Sequence, residues 1–250
     1  MKRLLLALAC ACALLALPAA ASAATGYVAL GDSYSSGVGT RDYYPDSGSC
    51  DRSPKAYGPL IAAAKGYNLN FQACSGAKTT DVNSGQLGAL SSGTGLVTIT
   101  IGGNDAGFST VITDCAAEFW NCSSAISTAN SFIKNKLPAL LNTTYTDIHS
   151  RAPKAKVLVL GYPHLFTSDG KTCNADALTP GSEKSLNSTA DLLDSTIQSA
   201  ASAHGFKFVD PRSAFAGHAV CSSSEWLNGL SNPISESFHP NVTGQSQFAA

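Results

Sequence analysis

The chain has 250 residues, with 16 Lys+Arg against 17 Asp+Glu and a formal net charge of −1. That balance argues against nucleic acid or an anionic membrane as a partner, and 44% hydrophobic residues exclude a disordered chain. Only 13% of residues are charged and 22 are glycine, which fits a loop-rich globule large enough for one sizeable core.

Residues 1–23 read as a secretory signal. Lys2 and Arg3 precede an almost purely apolar run from Leu4 to Leu17, and Pro18 leads into the small-residue pattern Ala21-Ser22-Ala23. The run is short for a membrane span and no stop-transfer pattern follows, so the mature chain is expected to hold no integral membrane segment. Cys10 and Cys12 lie before the apolar run ends and lack the context of a lipid-attachment site. Cleavage after Ala23 leaves residues 24–250 as one domain and moves the net charge from −1 to −3 through loss of Lys2 and Arg3. Cys50, Cys74, Cys115, Cys122, Cys173 and Cys221 remain, and an even number of cysteines in an exported chain points to disulfides. They include no CxxC pair and have no histidine at metal-site spacing, so no metal is expected. The count alone does not choose among the possible pairings.

Five runs have the composition of buried strands: Tyr27–Leu30, Asn68–Phe71, Leu96–Ile101, Val157–Leu160 and Phe206–Val209. Helical features separate them. Pro54–Lys65 starts with Ser53 as N-cap and proline at the first helical position. Asn130–Ser150 carries apolar residues at roughly helical spacing despite Pro138. Pro180–Ala203 carries Leu186, Ala190, Leu193, Ile197 and Ala200 as a clean stripe that ends before His204-Gly205. Strands alternating with helices predict βαβ units, a parallel sheet and helices on both faces, which is one three-layer α/β/α domain.

Open sheets of this kind bind ligands beyond the carboxyl ends of their strands. The residues after the five strands are Gly31-Asp32-Ser33, Ala73-Cys74-Ser75-Gly76, Gly102-Gly103-Asn104-Asp105, Gly161-Tyr162-Pro163-His164 and, further on, Ser237-Phe238-His239-Pro240-Asn241. In a flavodoxin-like strand order, 2-1-3-4-5, Ser33 and Asn104 face one crevice. A serine becomes nucleophilic when a base removes its proton, and imidazole titrates in the right range. Gly31-Asp32-Ser33, then Gly76, then Gly-Gly-Asn104-Asp, then His239-Pro240-Asn241, in that order and over nearly the whole mature chain, resembles the GDSL or SGNH hydrolase family.

That resemblance implies a five-stranded SGNH hydrolase fold, with Ser33 as nucleophile and His239 as base. It implies an oxyanion hole from the N–H groups of Ser33 and Gly76 and the Asn104 side chain, and carboxylic ester hydrolysis without a cofactor. The family commonly places Asp three residues before the histidine, and here that residue is Glu236. Glu236 is expected to orient the imidazole by its carboxylate or by its own backbone carbonyl. The carbonyl is preferred because glutamate is a methylene longer than the usual aspartate. Asp32, adjacent to the nucleophile, is not nominated for that role. The resemblance to secreted three-disulfide lipases and esterases implies the pairs Cys50–Cys74, Cys115–Cys122 and Cys173–Cys221.

Each block also has an ordinary explanation. Ser33 alone reads as a turn or cap, and Gly-Gly-Asn-Asp alone reads as a loop. His149 and His204 sit near helix ends, where a dipole role suffices. His218 lies in an Ala-Gly loop, and His164 rivals His239 because it too follows a strand. The nucleophile elbow Gly-x-Ser-x-Gly is absent, since position 35 is serine, and no dinucleotide or P-loop pattern occurs. The expectation is a secreted, monomeric serine esterase or lipase acting on a small-molecule or lipid ester. The alternatives are a carbohydrate acetyl or aryl esterase and a catalytically silent surface protein on the same fold.

Overall fold

The computed structural model describes residues 25–117, 122–167 and 178–250. The expected leader, residues 1–23, lies outside the described residues, as does Cys173 with its expected bond to Cys221. Five strands form one parallel sheet: β1 Gly26–Gly31, β2 Asn68–Phe71, β3 Thr94–Thr100, β4 Lys156–Leu160 and β5 Lys207–Val209. Their order is β2-β1-β3-β4-β5, the flavodoxin-like order expected from the sequence.

Successive side chains of a strand point to opposite faces, and in the central strands β1 and β3 both faces are buried, which is why their sequences lack the alternation of polar and apolar residues seen in the edge strand β2. The helices are α1 Ser33–Ser36, α2 Tyr57–Lys65, α3 Thr79–Asp81, α4 Phe108–Ala117, α5 Ser123–Asn135, α6 Leu137–Arg151, α7 Pro180–Ala203 and α8 Val242–Ala249. Val28, Leu30, Val97, Ile99, Val157 and Val159 pack with Leu137, Leu141 and Ile148 of α6 and Leu193 and Ile197 of α7. Tyr27, Ala29 and Leu96 turn the other way and pack with Ile61 and Ala62 of α2. A further cluster, including Val111, Leu165, Phe166, Leu186, Phe215 and Leu227, joins the loops beyond the strand ends. No helix among the described residues is long and apolar enough to cross a membrane.

Several helix boundaries differ from the sequence expectation. The Ser53 hydroxyl accepts the Lys55 N–H at 2.9 Å, and the Ser53 carbonyl accepts the Ala56 N–H at 3.2 Å. Residues 53–56 are therefore spent on a turn, and α2 begins at Tyr57 rather than at Pro54. The expected single helix over residues 130–150 is two, α5 and α6, broken at Lys136. Pro138 has no N–H to donate into a preceding turn, and it sits in the first turn of α6, where none is needed. The α7 bounds agree with the sequence reading, with Thr179 Oγ1 capping the Ser182 N–H at 3.1 Å.

The end of β1 is fixed by a buried amide. Gln86 Oε1 accepts the Gly31 N–H at 2.7 Å, and Gln86 Nε2 donates to the Gly31 carbonyl at 2.9 Å. Gly31 has φ +119°, and a Cβ there would be driven into the Thr100 carbonyl and the Ser35 hydroxyl, so only glycine makes this turn. Asp32 then donates its N–H to Thr100 O at 3.0 Å, and its carboxylate caps α1 through the Tyr34 N–H, also at 3.0 Å.

Cys50 and Cys74 are bonded, as are Cys115 and Cys122. The first bond ties the segment that follows α1 to the loop carrying Gly76. Its partners are 24 positions apart, and closing a loop of that size stabilises the fold by about 3 kcal/mol on chain-entropy grounds. Replacing both cysteines by serine should lower the urea-unfolding free energy by about that amount. A loss below about 1 kcal/mol would contradict this assignment of stability.

Candidate active site

Ser33 begins α1 directly beyond β1, and His239 lies in the segment that leads into α8. The fold brings them together: His239 Nε2 is 2.8 Å from Ser33 Oγ. Several bonds hold the histidine segment in place. The Asn228 N–H donates to His239 O at 2.9 Å, the Phe238 N–H donates to Asn228 O at 3.0 Å, and the Tyr34 hydroxyl donates to Phe238 O at 2.8 Å. Phe238 has φ 60°, the left-handed region that a bulky residue seldom adopts, and these bonds hold it there. Asn241 caps α8 by accepting the Thr243 and Gly244 N–H groups at 2.9 and 3.1 Å.

His239 Nδ1 meets the backbone carbonyl of Ser237 at 2.9 Å. A carbonyl only accepts, so Nδ1 carries the proton and Nε2 presents a lone pair to the serine hydroxyl. This corrects the expectation for Glu236. Its carboxylate accepts from Arg41 Nε at 3.0 Å and from the Tyr43 hydroxyl at 2.6 Å, and its own carbonyl accepts from Asn228 Nδ2 at 3.3 Å. The orienting carbonyl belongs to the next residue. Glu236 is buried at 3% exposure, and its longer side chain reaches the Arg41–Tyr43 loop rather than the imidazole. Desolvation pushes the His239 pKa down to about 4, although the Ser237 carbonyl and the more distant Glu236 charge both act to raise it.

Gly76 sits in the turn after β2 with φ +77°, and a Cβ there would meet nothing within 4 Å. Asn104 Nδ2 donates to Ala77 O at 3.0 Å, which brings the Asn104 loop against the Gly76 turn. Asp105 reinforces the contact by accepting the Thr79 N–H at 3.0 Å and the Thr79 hydroxyl at 2.6 Å. An amide nitrogen has two hydrogens, so one remains for another acceptor. Asn104 lines one cavity with Ser33 and His239, so a side-chain N–H donor shares the space of a serine oxygen paired with a neutral imidazole, which suits stabilisation of an oxyanion after attack on a carbonyl. Gly76 is not among the lining residues and joins the site through the Ala77–Asn104 bond.

Tyr162 is the residue that sequence reasoning missed. Its hydroxyl donates to Asp32 Oδ2 at 2.5 Å and accepts the Gly103 N–H at 3.0 Å, so one side chain links the ends of β1, β3 and β4. Burial pushes the Asp32 pKa up to about 7, against the lowering effect of the Tyr162 bond. Asp32 thus caps α1 and anchors Tyr162, and it does not reach His239. The signal was available, since Tyr162 stands between β4 and His164. His164 itself bonds Asp191 Oδ1 at 2.8 Å in a cluster with Arg212, apart from Ser33. His204 bonds Thr146 and Ala200, and His218 stacks on Trp226 with ring centroids 3.6 Å apart.

Ser33, Asn104 and His239 open on a cavity of about 420 Å³. Its walls are largely apolar and include Phe108, Ile112, Leu165, Leu178, Leu193 and Phe238. A site of this make-up holds an apolar ligand and directs a few polar groups at one end of it.

The model of the GDSL-like Lipase/Acylhydrolase family matches residues 29–247. Lipase 1 of Streptomyces coelicolor is 48% identical over 228 residues, covering 90% of this chain and 84% of that protein. The crystal structure of an extracellular lipase from Streptomyces rimosus superposes with a TM-score of 0.86 at 46% identity, over 90% of this chain and 97% of that one. Phospholipase A1 from Streptomyces albidoflavus gives a TM-score of 0.87 at 45% identity, over 91% and 97%.

Neutral imidazole is the form that accepts a proton, so activity is present above its pKa and lost as pH falls through it. With that pKa pushed down to about 4, the acid limb of kcat/KM should lie well below the ordinary histidine range. Glu236→Gln removes a charge that raises the His239 pKa, so its limb should move to still lower pH while kcat falls less than about tenfold. A loss of about 10³ or more with folding intact, or a limb displaced upward, would make Glu236 a true acid partner.

Proposed function

The chain belongs to the GDSL-like lipase/acylhydrolase family and is a carboxylic ester hydrolase; from that premise we propose that Ser33 cleaves lipid acyl esters outside the cell through an acyl-serine intermediate. Ser33 Oγ attacks the ester carbonyl carbon while His239 Nε2 takes its proton. The tetrahedral oxyanion is met by the N–H groups of Ser33 and Gly76 and by the free amide hydrogen of Asn104. Collapse expels the alcohol, which takes the proton from His239. Water then attacks the acyl-serine with His239 again as base, releasing the acid and restoring the hydroxyl. The sequence calls for no cofactor.

The observation that carries this reading is the 2.8 Å contact between Ser33 Oγ and His239 Nε2 at one end of an apolar cavity of about 420 Å³. Its Phe, Ile and Leu walls favour an acyl chain, and an acetyl group would fill only a small part of the space. Relatives named as lipases and as a phospholipase A1 support the same substrate class. Export is supported by the leader-like residues 1–23 and by disulfides, which persist in oxidising compartments. The mature protein is proposed to act as a monomer.

Ser33→Ala should abolish covalent labelling by an organophosphate and hydrolysis of a soluble p-nitrophenyl ester. Asn104→Ala should still label but lose about 10² to 10³ in kcat with KM little changed. An Asn104→Ala enzyme as fast as wild type would refute the oxyanion assignment. In a panel of acyl lengths, activity should favour chains longer than acetyl; a preference for acetylxylan would overturn the lipid reading.

A further inference from the structure

Four large hydrophobic side chains are exposed among the described residues, and the two most exposed are Leu230 at 51% and Ile234 at 68%. Single exposed leucines are ordinary on a protein surface. These two share one loop, and both stand on the rim of the cavity that holds Ser33 and His239. The loop is anchored at its base by the paired bonds between Asn228 and the Phe238–His239 segment, next to the imidazole itself. Above that base, the Ser231 N–H donates to Ser237 Oγ at 2.9 Å, and Pro233 removes one backbone freedom.

The chemistry of the tip is selective. Residues 226–235 run Trp-Leu-Asn-Gly-Leu-Ser-Asn-Pro-Ile-Ser and contain no charged side chain. Two carboxylates flank this stretch: Glu225 accepts the Cys221 N–H at 2.8 Å, and Glu236 is buried and paired with Arg41 at 3.0 Å. An uncharged, apolar, tied-down tip beside an acyl-sized cavity is suited to a lipid surface whose attraction is hydrophobic rather than coulombic.

We propose that the loop tip at residues 229–235 docks the protein on aggregated neutral or zwitterionic lipid by burying Leu230 and Ile234 in its surface, which brings the cavity mouth level with the acyl chains. This rests on the lipid-ester reading of the site. Burial of each side chain strengthens partitioning by about tenfold or more. Ionic strength has little influence, since the contact carries no charge.

The test uses the mature Ser33→Ala protein, so that no lipid is consumed, with co-sedimentation on phosphatidylcholine vesicles. It should bind, and it should bind equally in low salt and in 0.5 M NaCl (about half-molar, where charge attraction is largely screened). Adding Leu230→Ser and Ile234→Ser should weaken partitioning by about tenfold to a hundredfold. Circular dichroism checks that this variant is folded; if it is not, Ile234→Ser alone carries the test, with a loss of about tenfold expected. Equal binding by the variant, binding that salt abolishes, or no vesicle binding at all would overturn the proposal. Loop-dependent self-association in sedimentation velocity without vesicle binding would assign the tip to a second copy of the chain, and would overturn it too. Wild-type protein assayed on a soluble short-chain ester separates the two readings. Hydrolysis there without vesicle binding removes only the docking surface, and vesicle binding without hydrolysis removes the esterase reading.

Discussion

Ser33 and His239 are 206 positions apart and must meet within hydrogen-bond distance, a constraint that organises the rest of the structure. One partner is set by the sheet, the other by the C-terminal segment, so the two have to be locked together. Gln245 of α8 does this from the buried interior. Its Nε2 donates to Tyr34 O at 3.0 Å and its Oε1 accepts the Tyr57 N–H at 2.9 Å, which joins α8 to α1 and α2. Tyr34, one residue past the serine, reaches back to Phe238 O, one residue before the histidine. The unfavourable backbone of Phe238 is tolerated because bonds from both sides determine it.

The same constraint shapes the electrostatics. A carboxylate on Nδ1 would stabilise the imidazolium directly, whereas a carbonyl fixes only the tautomer and orientation. With Ser237 O in that place no carboxylate charge sits on Nδ1, and withdrawal from water keeps the imidazole neutral far into the acid range even though the Ser237 bond itself acts to raise the pKa. Glu236 still contributes, but as a remote charge and as a brace between the histidine loop and the Arg41–Tyr43 loop. Asp32 illustrates the other use of a buried acid: it joins the Ser33 turn to Tyr162 and through it to Gly103.

The central strands β1 and β3 were legible in the sequence because they are buried on both faces and stand out as short runs between glycines. The β2 bounds match residue for residue, and the strand order follows once the topology is recognised as doubly wound. That Ser33, Asn104 and His239 share one cavity was legible because each lies at a strand end or in a motif of fixed order. The partner of Nδ1 was not, because a backbone carbonyl has no residue-type signature and depends on the turn at 237–239. The place of Tyr162 directly after β4 was visible, but its partners, the Asp32 carboxylate and the Gly103 N–H, are set by how the ends of β1 and β3 meet it in space. The α2 start and the α5–α6 break were misjudged where local turn chemistry, at Ser53 and Pro138, overrode helical periodicity.

In this structure a neutral imidazole, protonated at Nδ1 and held by main chain, faces the serine. Nitrogen-15 NMR of histidine-labelled protein, with His239 assigned by its absence in His239→Ala, tests this most directly. The expected result is a neutral ring with the proton on Nδ1 at pH 7, titrating with a midpoint well below the free-histidine range, toward 4. A proton on Nε2, or a midpoint raised above the free-histidine value as a paired carboxylate would produce, would contradict it.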